Sequence, residues 1–462
     1  MSHGGGKKGL GQRAAQLMAL LVVFAAMFFT SRAVPENEGA SSLVTAMGFL
    51  LLAGMLASEL LELVGLPHLT GYLLAGAVAG PHVLRLVDHH AVARLTPVNT
   101  LALSLIALAG GAELKIDLLR QVLKSLVWAM VIQSVLGILV IGAAFLAITR
   151  FLPFTAGLSF SALVGVALLW GVLQICRSPS ATLGIFSQLR PDGPVSRFSL
   201  AFVMSSDVIV AMLLTTAIAF ARPLIEPAAG LSLKDFSALG HEIVGSVSLG
   251  TTLGLVLTAY LWLIEGGLLL VLIAIGFGLT EALHYLRFDP LLAFMIAGFV
   301  VANFSEQGGK LLAAIERAGN VVYVVFFATA GAHLDLDLVR KLWAVALYLG
   351  GVRVASIWVA HQIGSRFAND VPIVRRWGWC SLVSEAGLTI GMAVVVERAF
   401  PSFGAGFRSL AIAGVALNEL VGPILFKFAL DRIGETGKGT QEKAFHEAEG
   451  APEPAAVPAE PA

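Results

Sequence analysis

GVLQICRSPSATLGIFSQLRPDGPVSRFSLAFVMSSDVIVAMLLTTAIAFA, residues 171–221, holds two apolar runs joined by a basic turn. Each run contains something a lipid bilayer resists. The first is interrupted by Arg177-Ser178-Pro179. Proline removes a backbone donor and collides with the preceding turn, so a kinked or unwound helix is expected there. The second run carries Asp207 between Val203-Met204-Ser205-Ser206 and Val208-Ile209-Val210. A carboxylate at mid-span costs about 2.5–3.5 kcal/mol on insertion scales. Broken backbone beside a titratable side chain is the pattern of an ion or proton site. The competing reading is a structural aspartate held by a helix-end amide or an arginine.

Composition agrees with membrane residence. Of 462 residues, 57% are hydrophobic and 13% charged, about half the charge of a soluble globule. The mean hydropathy is +0.86. Formal net charge is zero, so no global field points to nucleic acid. Cys176 and Cys380 are the only cysteines, too few for a disulfide framework or a metal cluster. His68, His82, His89 and His90 lack paired spacing on one face. No resident metal site is expected, and no cofactor. No GxGxxG or P-loop follows a strand, which argues against nucleotide-driven chemistry. The many glycines, Gly76 and Gly80 among them, suit close helix packing in lipid.

Apolar stretches of spanning length predict an all-α polytopic protein with about thirteen transmembrane helices plus an N-terminal hydrophobic segment. The segment at 14–30 reads as a signal peptide or an extra helix. Residues 1–40 are expected to form a cytoplasmic stub with that segment, 41–221 a first repeat and 222–265 a connecting segment with a linker helix. A second repeat is expected at 266–432 and a disordered cytoplasmic tail at 433–462, rich in Ala, Pro and Glu. The basic loops at Lys115-Arg120-Lys124, Arg190-Arg197, Lys310-Arg317 and Arg366-Arg375-Arg376 place themselves and the C-terminus inside. Arg340-Lys341 falls on the other side.

The repeat is internal. Residues 109–120 read AGGAELKIDLLR and 329–340 read TAGAHLDLDLVR, with Gly111/Gly331, Asp117/Asp337 and Arg120/Arg340 identical. PHLTGYLLAG before the first copy resembles PLLAFMIAG before the second, pairing Gly76 with Gly298. Seven predicted spans separate the equivalent helices, an odd number, so the halves are inverted. Inverted repeats around broken helices are a secondary-transporter architecture. The symmetry places a second break in 377–398, WGWCSLVSEAGLTIGMAVVVER, where Ser384-Glu385-Ala386-Gly387 interrupts an apolar run.

Asp207 is the candidate carrier: a carboxylate that holds a proton or a metal cation, but not both, couples two fluxes. Oxygens of Ser178, Ser205, Ser206 and the freed carbonyls suit a hard monovalent cation. Gln174 adds an oxygen or serves as a packing amide. Arg353, the one charge in VALYLGGVRVASIWVA, balances carboxylates or half-helix carbonyls. Glu385 is its partner or a second titrating group. Arg177 is expected to snorkel toward the cytoplasm. Pro179, Ser384 and Gly387 mark the breaks. Glu59, Glu62 and Glu419 read as interfacial or packing residues.

GLPHLTGYLLAGAVAGP (65–81), the AGGAEL and DLLR segments, RSPSA (177–181), GPVSRFSLAFVMSSDV (193–208) and LNELVGPILFKFAL (417–430) together resemble the monovalent cation/proton antiporters of family 2, over roughly 41–432. That resemblance implies a homodimer with a scaffold and a mobile core, elevator-like alternating access, and a bacterial-type inner-membrane location. Asp207 matches the family's essential aspartate, Arg353 its basic core position and Ser178-Pro179 its broken-helix motif. Ser206 replaces an Asp or Asn common before that aspartate, which leans toward electroneutral exchange. Arg177 stands where a small polar residue is common. The function expected is exchange of Na⁺ or K⁺ for H⁺, not enzymatic chemistry. The rivals are a sodium-coupled organic-anion symporter on the same fold and an ion-binding membrane sensor.

Overall fold

The computed structural model describes residues 17–25, 39–226, 233–264, 268–286, 288–334, 336–385 and 387–437. Every regular element among them is helical. A helix at 17–25 (α1) is followed by α2 (Gly39–Glu62), α3 (His68–Ala79), the short α4 (His89–Arg94) and α5 (Thr96–Glu113). Then come α6 (Ile116–Leu136), a π-turn at Gly137–Ile141 and α7 (Gly142–Ile148), which run on as one long rod. α8 (Phe160–Leu173) and α9 (Pro179–Leu189) are two halves of an interrupted span, followed by α10 (Pro194–Ile225). The second half of the chain has α11 (Leu233–Leu263), α12 (Leu268–Leu286), α13 (Pro290–Phe304), α14 (Gly308–Ala332) and α15 (Leu336–Ala368). It ends with the short α16 (Pro372–Trp377), a 3₁₀ turn (Gly378–Leu382), α17 (Gly387–Ala399) and α18 (Pro401–Ile433). Five stretches among the described residues are helical, long and apolar enough to cross a bilayer, Pro194–Ile225 and Pro401–Ile433 included. In lipid every backbone group must be satisfied within its own segment, so a helical solution follows from the composition.

The inverted repeat is written in backbone packing. A Cβ on Gly76 of α3 would overlap the carbonyl oxygen of Ala328 in α14, and one on Gly331 of α14 would overlap that of Leu73 in α3. The other half repeats this contact: Gly298 of α13 lies against the Leu108 carbonyl of α5, and Gly111 of α5 against the Met295 carbonyl of α13. The glycines paired in sequence therefore sit at equivalent crossings. The remaining neighbours follow suit. α2 packs on α3 as α11 packs on α13, and α6 meets its own counterpart α15.

Two groups of helices result. α2, α3, α5 and α11–α14 form one; α6–α10 and α15–α18 form the other, with α9 packed on α10 and α18 and reaching α3, α5 and α14 of the first. The second group is consolidated by Trp170, whose ring stacks on Phe145 at 5.5 Å and meets Phe407 edge-on at 5.3 Å. Each such pair contributes about 0.5–1.5 kcal/mol beyond area burial.

The boundaries shift in two instructive places. The span expected at 67–86 ends as a helix at Ala79. The polar tail expected from residue 433 is docked at its start. Buried Glu435 accepts the amides of Val195 (3.0 Å) and Ser196 (2.8 Å) and the Ser196 hydroxyl, capping the first turn of α10. Residues 438–462, and most of the stretch at 1–40, lie outside the described residues.

Because the glycine crossings leave no room, Gly111→Ala and Gly298→Ala are each expected to destabilise the purified protein by about 1–3 kcal/mol, the usual cost of overpacking. Melting in detergent checks this. Gly350→Ala, where a new Cβ meets nothing within 4 Å, should leave the melting temperature unchanged.

Candidate functional site

The first break is built by ordinary capping chemistry. α8 ends at Leu173 with Gln174 as its C-cap. Ser178 is extended (φ −109°, ψ 99°), as a residue before proline prefers, and its Oγ accepts the Ala181 amide at 3.0 Å. Pro179 then occupies the first helical position, where its missing donor does no harm. The proline therefore starts a half-helix rather than kinking a continuous one. In the second break, the 3₁₀ turn ends at Leu382 and α17 resumes at Gly387, leaving Val383, Ser384 and Glu385 between them. Ser384 packs against Gly422 of α18, where a Cβ would overlap its hydroxyl.

The breaks expose carbonyls that no helix satisfies, and arginines take them up. Arg353 of α15 is wholly buried. Its Nε donates to Gln174 O (3.0 Å), Nη2 to Cys176 O (2.9 Å) and Nη1 to Val383 O (2.6 Å). One guanidinium thus bridges both interruptions. The Glu385 carboxylate, also fully buried, lies 3.5 Å from Arg353 Nε, and its other oxygen accepts Asn418 Nδ2 at 2.6 Å. The snorkelling expected of Arg177 does not occur. Arg177 is 2% exposed; its Nη1 donates to the same carbonyls, Gln174 O (3.1 Å) and Cys176 O (2.9 Å), and its Nη2 to Gln133 Oε1 (2.6 Å). Helix-end carbonyls carry partial negative charge, and the α8 terminus is met by two cations.

Asp207 lies on a cavity of about 420 Å³ between the two helix groups. Its Oδ1 is buried and accepts no hydrogen bond from a described residue. Pro179 and Ser180 at the start of α9, Leu388 of α17 and Glu419 of α18 share the lining. From the other group come Thr96 and Asn99 of α5, Glu242 of α11, Asp289 before α13 and His333 after α14. The hydroxyls expected around Asp207 are otherwise engaged: Ser178 caps α9 and Ser206 donates to Val203 O at 2.8 Å, while Gln174 does not line the cavity. Ser205 does not line the cavity. Among the described residues no three His, Cys, Asp or Glu side chains are placed to hold a metal ion together.

A family model described as sodium/hydrogen exchanger, transmembrane, matches residues 47–431. The chain belongs to the sodium/hydrogen exchanger family. That family consists of membrane transporters, not enzymes. The exchanger's fold is similar to that of the sodium proton antiporter MjNhaP1 from Methanocaldococcus jannaschii, solved at pH 8. The TM-score is 0.60, covering 85% of this chain and 97% of that one at 17% identity. The exchanger is also 25% identical over 367 residues to a protein named iron transporter MagA of Paramagnetospirillum magneticum, covering 77% of this chain and 80% of that one.

Sequence reasoning missed the place of several polar groups around the breaks and the cavity, Thr96 and Asn99 among them. Gln133 is a lone amide within an apolar run, a signal that was present. Asp289 precedes a proline and accepts the amides of Leu291 (2.8 Å) and Leu292 (3.3 Å), so it reads as a plain helix start. His333 is the C-cap of α14, and Glu242 lies nearly three turns into α11. Glu419 looked interfacial but is 6% exposed.

Removing one member of a buried ion pair typically costs about 3–5 kcal/mol. Arg353→Met is expected to lower the melting temperature sharply, because Val383 O loses its donor and Glu385 loses the cation beside it. Arg177→Met should be milder, since Arg353 still serves Gln174 O and Cys176 O. Melting of the two variants in detergent gives the order.

Proposed function

We propose that this exchanger moves a monovalent cation, Na⁺ or K⁺, against H⁺, with Asp207 holding one or the other. The observation that carries this reading is the buried, unpartnered Asp207 oxygen on a cavity beside a broken helix. Such a group costs energy wherever a bilayer surrounds it and persists where an ion or proton is handled. α10 offers a single carboxylate, because Ser206 precedes Asp207, so this helix alone supplies one proton per cation. Electroneutral exchange follows if nothing else contributes. Arg353 and Glu385 supply the fixed charge that keeps the two breaks together while the cation changes places with the proton.

Elevator-like movement of the α6–α10 and α15–α18 group against the other, in a homodimer of the inner membrane, is the architecture the family resemblance supports. With basic loops and the C-terminus cytoplasmic, Thr96, Asn99, Asp289 and His333 sit at the outer ends of their helices and Glu242 in the outer half of α11. The cavity is then the outward-facing access route, and its carboxylates attract cations to it. A divalent cation is the second reading, favoured by the relative named an iron transporter.

The test is proton flux in everted vesicles or proteoliposomes, read by a pH-sensitive dye after addition of Na⁺, K⁺, Li⁺ or Mn²⁺. Wild type should show cation-dependent recovery, and Asp207→Asn should lose it by at least about tenfold, the scale set by removing one interaction worth 1.4 kcal/mol or more in the rate. Recovery in the variant equal to wild type would dismiss Asp207 as carrier. Absence of recovery with every cation would dismiss antiport.

A further inference from the structure

Glu419 is the buried acid that the cycle above leaves unused. It lies in α18, is 6% exposed, and makes no hydrogen bond or ion pair with another described residue. Its neighbour Asn418 is spent on Glu385 at 2.6 Å. Glu419 instead lines the cavity that also contains Asp207. A carboxyl without a partner inside a spanning helix is expensive and marks function more often than packing. Leucine or glutamine would fill the same space at less cost. Its place in the fold is informative as well. α18 is the long helix that comes after the second break, as α10 is the long helix that comes after the first. The two repeats therefore each send one carboxylate, Asp207 and Glu419, to a shared cavity.

The other charged groups on this cavity have separate employment or a separate place. Asp289 caps α13 through the amides of Leu291 and Leu292. Glu242 and His333 come from the opposite helix group. Glu385, behind Asn418, is balanced by Arg353 at 3.5 Å, which leaves Glu419 as the acid of the Asp207-bearing group with nothing to neutralise it.

We propose that Glu419 is a second exchangeable carboxyl of the transport cavity, so that protons held at Asp207 and at Glu419 both leave as a cation enters. The inference rests on Asp207 being the cation carrier. Its charge balance is explicit. Two protons leaving for one monovalent cation make each turnover move one net charge, whereas two protons for one divalent cation make it neutral.

The measurement is proton release by purified full-length protein in weakly buffered detergent solution, followed with a pH-indicating dye as NaCl, KCl or MnCl₂ is added against choline chloride. Ligand carboxyls must deprotonate for a cation to bind, so release counts them. Wild type should release about two protons per protomer at saturation, Glu419→Gln about one, and Glu419→Asp about two again, by that same linkage. Release of about one proton by both wild type and Glu419→Gln would overturn the role of Glu419 and leave Asp207 in place. Release by none of the proteins would overturn both readings together. If Glu419→Gln fails to fold, as its melting curve would show, the wild-type count and Glu419→Asp still decide the matter.

Discussion

A single guanidinium holds the centre of this protein together. Two helices stop halfway through the membrane, and each leaves carbonyls that lipid cannot satisfy. Arg353 donates to Gln174 O and Cys176 O at one break and to Val383 O at the other. Glu385 then offsets its charge from within the second break. Lysine would offer its three donors from one nitrogen, whereas the guanidinium spreads them over three nitrogens in a rigid fork that reaches carbonyls of both breaks. Every other feature of the site presumes this bridge. With it, α9 and α17 begin at mid-depth, and Asp207 faces a cavity instead of a packed helix. Arg177 doubles the positive charge at the α8 terminus and ties it to Gln133 of α6, which locks the break to the long rod behind it.

The second constraint is contact between backbones. The crossings at Gly76, Gly111, Gly298 and Gly331 allow helices to touch at their carbonyls. In lipid, where there is little hydrophobic force between helices, such close approach supplies the association. These crossings belong to the helix group that carries Thr96, Asp289 and His333, whereas the arginine bridge belongs to the group that carries Asp207. One group is stiffened by steric fit and the other by buried charge, with the cavity at the seam between them.

Much of this was legible in the sequence, for identifiable reasons. Pro179 and Asp207 stand out because a bilayer penalises both, and repetition of Gly111, Asp117 and Arg120 as Gly331, Asp337 and Arg340 locates the second break by symmetry. What stayed hidden was direction. The string shows that Arg177 is charged but not whether its side chain turns outward or back onto the carbonyls three residues earlier. Ser178 and Ser206 look like ligands because they flank the right place, yet their hydroxyls are taken by local backbone. Asp289 is indistinguishable from a helix cap, which it is, until the fold carries it to the cavity. Glu419 sits among residues that would suit an interface, and only the packing of α17 on α18 shows that it is enclosed.

The central claim is that cation and proton compete for Asp207. The direct measurement is the affinity of the purified protein for its cation, by titration calorimetry, as pH is varied. Competition requires the dissociation constant to weaken as pH falls, approaching about tenfold per pH unit for each proton displaced once the carboxyl is protonated. An affinity that does not change with pH, in protein that remains folded, would contradict the account.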